Sequence, residues 1–321
     1  MPTPQPARRR PVWPQLPAPV RAAVEDRLGA RVTGWASRDG GYSPGMASVL
    51  ETTRGRVFVK ATGPGNDVAR ALYREEARRA AVLPPTVPAP RVRWSLEVGT
   101  GDGGPGWVVV AADAVAGRPP RTPWHPDELD AVVDLARRVA AHEVPAGVLP
   151  EAADELPSGR WAVLADDRPQ GLDTYDPWVA KNLDRLAALA APVREAVTGP
   201  HLAHGDLRGD NALVVPRAPD APGAVAVDWP YAVRAAPFLD LVAMLPSVRL
   251  EGGPEPEEVL RRHPLPTGVE DDAVTCYLAD LVGYFVHGSL QPPPPGIPHV
   301  RAFQRAQAEV GVAWLRRRLG E

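Results

Sequence analysis

Cysteine is almost missing from this chain: one residue, Cys276, in 321 excludes an internal disulfide and any thiolate-built metal cage. Lysine is nearly as scarce, because the 36 basic residues divide into 34 arginines and only Lys60 and Lys181. A lysine kept in such a chain hints at a place where a compact ammonium is needed and a planar guanidinium would not serve. Aromatic residues make up 6% and are dispersed, which leaves no stacking platform for single-stranded nucleic acid. A formal charge of -3 supplies no field for nucleic acid or anionic lipid. No apolar run reaches the roughly 18 residues that span a bilayer. These absences predict a protein of a reducing compartment, read as cytoplasmic, with neither a nucleic-acid nor a membrane partner. Hydrophobic residues at 44% and charged residues at 23% are near globular averages, so a packed core is expected.

Proline, by contrast, is abundant at 40 residues. Seven of them fall in residues 1–19, which read as a flexible tail with Arg8, Arg9 and Arg10 solvated, and not as a signal peptide. A short helix is expected over Val20 to Leu28. From Gly34 the pattern turns to strands, with MASVLETT and RVFVKAT flanking the Arg54-Gly55 turn as a hairpin. A helix follows over Asp67 to Leu83, then the strands VRWSLEV and GWVVVAA. After residue 113 the signals are helical: Pro126 to His142, Pro177 to Leu189, Pro237 to Leu245, Ala273 to Val286 and His299 to Leu319. Two short strands, Ala212 to Val215 and Ala224 to Asp228, interrupt them across the loop PRAPDAPG, and the prolines from Pro292 to Pro295 form a stiff connector. The expected fold class is α+β, with a small sheet-bearing lobe over 20–113 and a mainly helical lobe over 114–321.

The strongest chemical signal is His204-Gly205-Asp206-Leu207-Arg208-Gly209-Asp210-Asn211, followed by Asp228 in VAVDWP. An Asp, an Asn five positions on and a second Asp after the next hairpin can bring three oxygen-bearing groups around one point. Phosphoryl transfer needs such a set: one carboxylate for the attacking hydroxyl, and two hard oxygen donors for magnesium on the phosphates. The plainer alternative is a polar loop stabilised by Asx turns.

The order of parts along the chain resembles the aminoglycoside phosphotransferase family, small-molecule kinases with a protein-kinase-like fold. The resemblance runs from about Gly34 onward through DGGYSPGMAS, VFVK, YREEARR, VPAPRV, WVVVAADAVAG, HGDLRGDN and VDW. It implies a two-lobed fold in which Asp206 is the catalytic Asp, Asn211 and Asp228 bind magnesium, and Lys60 holds the α- and β-phosphates, with His204 structural. It further implies loop contacts to phosphate from Gly41, Ser43, Gly45 and Ser48, and adenine along the strand of Val110, Ala111 and Ala112. The function implied is transfer of the γ-phosphate of ATP or GTP, with Mg2+, to a hydroxyl of a small molecule such as an aminoglycoside or amino alcohol. The alternative is a nucleotide-binding regulatory module of the same fold without turnover.

Periodicity chooses between two partners for Lys60. Glu76 shares a helical stripe with Leu72, Ala80 and Leu83, whereas Glu75 faces Arg78 and Arg79. For Lys60 itself the competing reading is an edge-strand lysine. Arg208, counted with the catalytic residues, either meets the γ-phosphate or pairs with Asp210. Asp240, in FLDLVAML, reads as a buried structural acid. Gly41-Tyr42-Ser43-Pro44-Gly45 fits a hydrolase elbow only in letters, because Pro44 has no N–H to serve as oxyanion donor. Trp229-Pro230 after Asp228 argues against a large swing of that loop. Glu151, Asp154, Glu155, Asp173, Asp176 and the run Glu270 to Asp272 are read as solvated helix ends ahead of a cationic acceptor site.

Overall fold

The computed structural model describes residues 10–38, 44–99, 101, 104–216, 223–294 and 299–321. Arg8, Arg9, Gly41, Ser43, most of the PRAPDAPG loop and Pro295 lie outside them. The chain forms two compact units. The first takes in residues up to Pro85, Ala89–Arg118 and Ala226–Tyr231, and the second Thr86–Pro88, Pro119–Val225 and Ala232–Glu321.

In the first unit the elements run α1 (Ala18–Leu28), β1 (Val32–Ser37), β2 (Met46–Thr52), β3 (Gly55–Thr62), α2 (Asp67–Ala80), β4 (Val92–Val98) and β5 (Trp107–Asp113). The strands pair antiparallel in the order β1-β2-β3-β5-β4. Strand alternation sorts β3 into two sets of side chains on opposite faces. Val57, Val59 and Ala61 meet Leu50, Val109 and Ala111 on one face, sealed by Trp13, Leu16, Val20 and Val24. Lys60 is on the other face, where Tyr73 of α2 packs on Val108 and Val110. Because β3 is paired on both sides, the edge-strand reading of Lys60 does not hold. Entry into β2 requires glycine: a β-carbon on Gly45 would lie 2.7 Å from the Ala61 carbonyl oxygen and 2.7 Å from the Tyr73 hydroxyl.

The second unit carries α3 (Pro126–Ala140), α4 (Ala152–Glu155), α5 (Arg160–Asp167), α6 (Pro177–Lys181), α7 (Leu183–Ala190), α8 (Val193–Ala196), β6 (His201–Ala203), β7 (Ala212–Val214), β8 (Ala224–Ala226) and β9 (Val233–Ala235). Four helices follow, α9 (Leu239–Leu250), α10 (Pro256–Arg262), α11 (Asp271–Ser289) and α12 (Val300–Arg318). Strand β6 pairs with β9 and β7 with β8, which fixes both ends of the segment from His204 to Asn211. The single helix expected over 177–189 is broken at Asn182, whose side-chain amide bonds the Trp178 carbonyl and competes with helix continuation. Helix α9 does not stop at Leu245 but runs through Pro246. Proline removes one backbone donor, and buried Leu241, Val242, Met244, Leu245 and Val248 hold the helix regardless. Among the described residues no helix is long and apolar enough to cross a membrane.

Candidate active site

In the first unit, β3 and α2 bring Lys60 and Glu76 together. The Lys60 ammonium donates to Glu76 Oε1 at 2.9 Å and Oε2 at 2.8 Å, and to Asp228 Oδ1 at 2.7 Å. Glu76 also accepts the Trp229 backbone N–H, so the turn that carries Asp228 is tied to α2. Trp229 is buried and closes that turn by donating Nε1–H to the Ala226 carbonyl. Asp228 adopts φ 69°, a left-handed conformation that non-glycine residues seldom take and that Asp tolerates better than most. It ends β8 at Ala226, short of the expected Asp228, and turns the carboxylate toward Lys60.

Burial alone would push the Lys60 ammonium down, but Asp228 and then Glu76 hold it above its ordinary value. Burial pushes the Glu76 carboxyl up, with Lys60 opposing. The cluster is thus one cation shared by two carboxylates in a poorly solvated place, where a lone charge would be costly. Glu75 is engaged elsewhere, with Arg78 and Arg79, and the Arg78 bond holds its carboxyl below the usual range.

In the second unit the segment after β6 is shaped by Asp240 near the start of α9. Its carboxylate accepts the N–H groups of His204 at 2.6 Å and Gly205 at 2.9 Å, and Gly205 takes φ 79°. Asp240 is buried, which raises its carboxyl, while His204 and the two backbone donors favour the anion. Fully buried His204 accepts the Asp206 N–H on Nδ1 at 3.3 Å. Asn211 then closes the loop, its Nδ2 donating to the Asp206 carbonyl at 2.8 Å and to Asp206 Oδ2 at 3.1 Å. These bonds orient the buried amide so that Oδ1 is its remaining acceptor, a hard oxygen suited to magnesium. Asp206 itself is partly exposed.

Arg208 meets Asp210 through Nε and Nη2, both at 3.1 Å, and approaches Asp206 Oδ1 at 3.3 Å. Its guanidinium lies 5.4 Å from the Phe303 ring centroid on α12. Two residues that the sequence reading did not single out brace this loop. Glu251, after α9, accepts the Trp124 indole N–H at 2.8 Å, and a β-carbon on Gly209 would lie 3.1 Å from Trp124 and 3.2 Å from Glu251. Only their separation in sequence hid them; Gly209 inside HGDLRGDN was the available hint of close packing.

Two expected nucleotide contacts need correction. Ser48 is wholly buried in β2, and its hydroxyl has no partner among the described residues, so a phosphate has no approach to it. Val110, Ala111 and Ala112 sit in β5, whose backbone is paired to β3 on one side and β4 on the other. An inner strand has no free backbone groups for a base. The first backbone outside the ladder is 114–116. Gly41 and Ser43 lie outside the described residues, and Gly45 serves packing at Tyr73 and Ala61.

Four of the acidic residues weighed for an acceptor site are held in ion pairs. Glu151 pairs with Arg234, Asp154 with Arg194, Asp176 with Arg316, and Asp271 with Arg318. Among the described residues no three His, Cys, Asp or Glu side chains are grouped to hold a metal ion.

The chain is similar in structure to the apo form of a thermostable mutant of aminoglycoside phosphotransferase APH(4)-Ia, with TM-score 0.55 and 15% identity over 94% of this chain and 100% of that one. It is also similar to spectinomycin phosphotransferase APH(9)-Ia in complex with ADP and spectinomycin, at TM-score 0.57 and 11% identity over 92% and 97%. A protein assigned as a fructosamine-3-kinase from Haemophilus somnus 129PT gives TM-score 0.53 and 14% identity over 93% and 96%. At these identities the likeness speaks for the fold. No curated protein matches the chain in sequence. The model of the phosphotransferase enzyme family, APH, matches residues 35–273, from β1 into α11 and across both residue clusters described above; with more than half of its length so matched, the chain belongs to that family.

Proposed function

We propose that the protein transfers the γ-phosphate of ATP or GTP to a hydroxyl of a small molecule, and that this is a cytoplasmic activity. The observation that carries the reading is the Lys60–Glu76–Asp228 cluster, a buried cation held ready by two carboxylates. A structural ion pair would be satisfied by one carboxylate; a second, on a strained turn, is what a phosphate-binding and metal-binding arrangement asks for.

The roles divide by unit. In the first, Lys60 neutralises the α- and β-phosphates, and the partly exposed backbone of 114–116 meets the base. There too Asp228 is an oxygen ligand for magnesium, which when bound would neutralise charge on the phosphates; in the second unit the Asn211 amide oxygen is the hard donor that the same reading assigns to the metal. In the second unit, Asp206 orients the acceptor hydroxyl and receives its proton as that oxygen bonds to the γ-phosphorus and the bond from phosphorus to the β-phosphate bridging oxygen breaks, releasing ADP or GDP. Asp240 and His204 hold the backbone that aims Asp206, and Asn211 Nδ2 fixes its carboxyl oxygen Oδ2. The acceptor is a hydroxyl-bearing small molecule of the aminoglycoside or amino-alcohol kind.

The test is Asp206→Asn compared with the unsubstituted protein across a library of such acceptors, reading ADP or GDP release. Nucleotide binding should persist in the variant while transfer falls by about 10²-fold or more. Equal turnover would remove Asp206 from its role; nucleotide binding without turnover on any acceptor by the unsubstituted protein would favour the regulatory module.

A further inference from the structure

The segment from His204 to Asn211 is held near its start by Asp240 and across its two ends by the Asn211 amide. Its middle, Arg208-Gly209-Asp210, is met from outside by Trp124 and Glu251. Trp124, just before α3, is 7% exposed. It donates its indole N–H to Glu251 Oε2 at 2.8 Å and its backbone N–H to the Glu251 carbonyl at 3.3 Å, so two bonds tie it to the end of α9. Gly209 has no positive φ that would call for glycine. Space calls for it instead, because a side chain there would press on the Trp124 ring and on the Glu251 carboxylate.

The bond to Trp124 does not account for the charge of Glu251. A glutamine oxygen would accept the indole N–H as well, and would spare the protein a half-buried anion. Burial pushes the Glu251 carboxyl up, the Trp124 N–H opposes this, Asp210 adds to it, and Arg208 favours the anion. Arg208 is the cation among these groups. Its guanidinium presents Nε and Nη2 to Asp210, both at 3.1 Å, and Nη1 to Asp206 Oδ1 at 3.3 Å. It therefore lies among three carboxylates, and the pull of Glu251 bears on how it is shared between Asp206 and Asp210.

We infer that Glu251 is a positioning residue: braced by Trp124, its carboxylate holds the Arg208 guanidinium in place beside Asp206 and so governs transfer and not nucleotide binding. The inference rests on the phosphotransfer reading above, since it needs Asp206 to act on an acceptor hydroxyl. The role of Glu251 is exercised through Arg208. Glu251→Gln keeps an oxygen for the Trp124 indole and removes only the charge, whereas Trp124→Phe keeps a ring against Gly209 and removes the donor that fixes the carboxylate.

Steady-state kinetics on an acceptor that the unsubstituted protein turns over, nucleotide binding by calorimetry and melting should be measured for both variants. Glu251→Gln is expected to lower kcat about 5- to 10-fold, the worth of one charge contact, while nucleotide affinity and melting point are not reduced. Trp124→Phe is expected to lower kcat and the melting point together. Added to Arg208→Ala, Glu251→Gln should cost less than about 2-fold more, because the group it acts through is gone. A residue kept for the fold alone would leave kcat unchanged in Glu251→Gln, and that result overturns the inference. So does a full further loss in the Arg208→Ala background, which would mean that Glu251 acts without Arg208; both results leave the phosphotransfer reading in place. Nucleotide binding without turnover on any acceptor by the unsubstituted protein overturns that reading and this inference with it.

Discussion

One nitrogen meets two carboxylates at Lys60, and that is possible because an ammonium is compact and sits at the end of a flexible stem. A guanidinium is wider and presents its donors in a plane. Lys60→Arg keeps the charge and restores the residue that the chain otherwise favours, yet it should lower transfer by about 10²-fold, the loss of one aimed charge contact. Steady-state kinetics on the folded variant will show it, and rates equal to those of the unsubstituted protein would exclude phosphate bridging. A second residue-scale prediction concerns Asp280 on α11. Burial pushes its carboxyl up to about 6, against the Gly159 N–H and Arg160, which favour the anion. Its folded value thus exceeds the unfolded one of about 3.9. The folded state holds the proton more tightly, so the stabilisation is full below about pH 4 and is lost as pH rises through 6. Asp280→Asn keeps an acceptor for Gly159 and carries no charge. It should raise unfolding free energy near pH 7.5 by about 1–3 kcal/mol and change it little near pH 4. Urea titrations at the two pH values check this, and an equal gain at both would reject the charge explanation. Cys276, on the same helix, has its thiol pushed up to about 11 by burial and is correspondingly unreactive.

At the scale of elements, the face of the sheet away from Lys60 is closed by chain that precedes the family match, which begins at residue 35. Trp13, Leu16, Val20 and Val24 are all nearly fully buried there. Trp13→Ala should destabilise the first unit by about 3–5 kcal/mol, as loss of a large buried ring does. Hydrogen exchange should then quicken in β2 and β3 while α11 keeps its protection; protection unchanged in both strands would mean the cover is dispensable. The Pro-rich composition of residues 1–19 concealed this, because it reads as tail from end to end, although Trp13 and Leu16 within it dock on the sheet. The strands and α2 were legible because hairpin turns and 3.6-residue spacing are local. So was Glu76 over Glu75, although the buried stripe of α2 passes through Ala69, Tyr73 and Glu76 and leaves Leu72 half-exposed. Helix α9 was cut short because Pro246 is a local signal, and the burial that overrides it comes from distant segments. That the backbone of β5 is already paired on both sides was hidden for a similar reason, since strand order, not local sequence, decides it.

For the whole molecule, the chain order of motifs was more informative than any one of them. Residues 226–231, which carry Asp228, belong to the first unit although 119–225 and 232–321 belong to the second. No composition shift marks that exchange, which is why a split at one residue describes the sequence but not the units. The exchange bears on magnesium. A ligand that binds only the folded chain stabilises it by about 2.7 kcal/mol when present at 100 times its Kd. On the function proposed above, nucleotide alone would draw on Lys60 and the backbone of 114–116, whereas the added effect of magnesium would draw on the anionic oxygen of Asp228. Asp228→Asn leaves an oxygen for Lys60 but removes that anion. In melting experiments the rise in Tm caused by nucleotide should therefore survive in Asp228→Asn, while the further rise on adding magnesium should shrink to what chelator gives in the unsubstituted protein. A full magnesium-dependent rise in the variant would take Asp228 out of the metal site. Loss of the nucleotide-only rise would show instead that Asp228 is needed to hold Lys60 for phosphate.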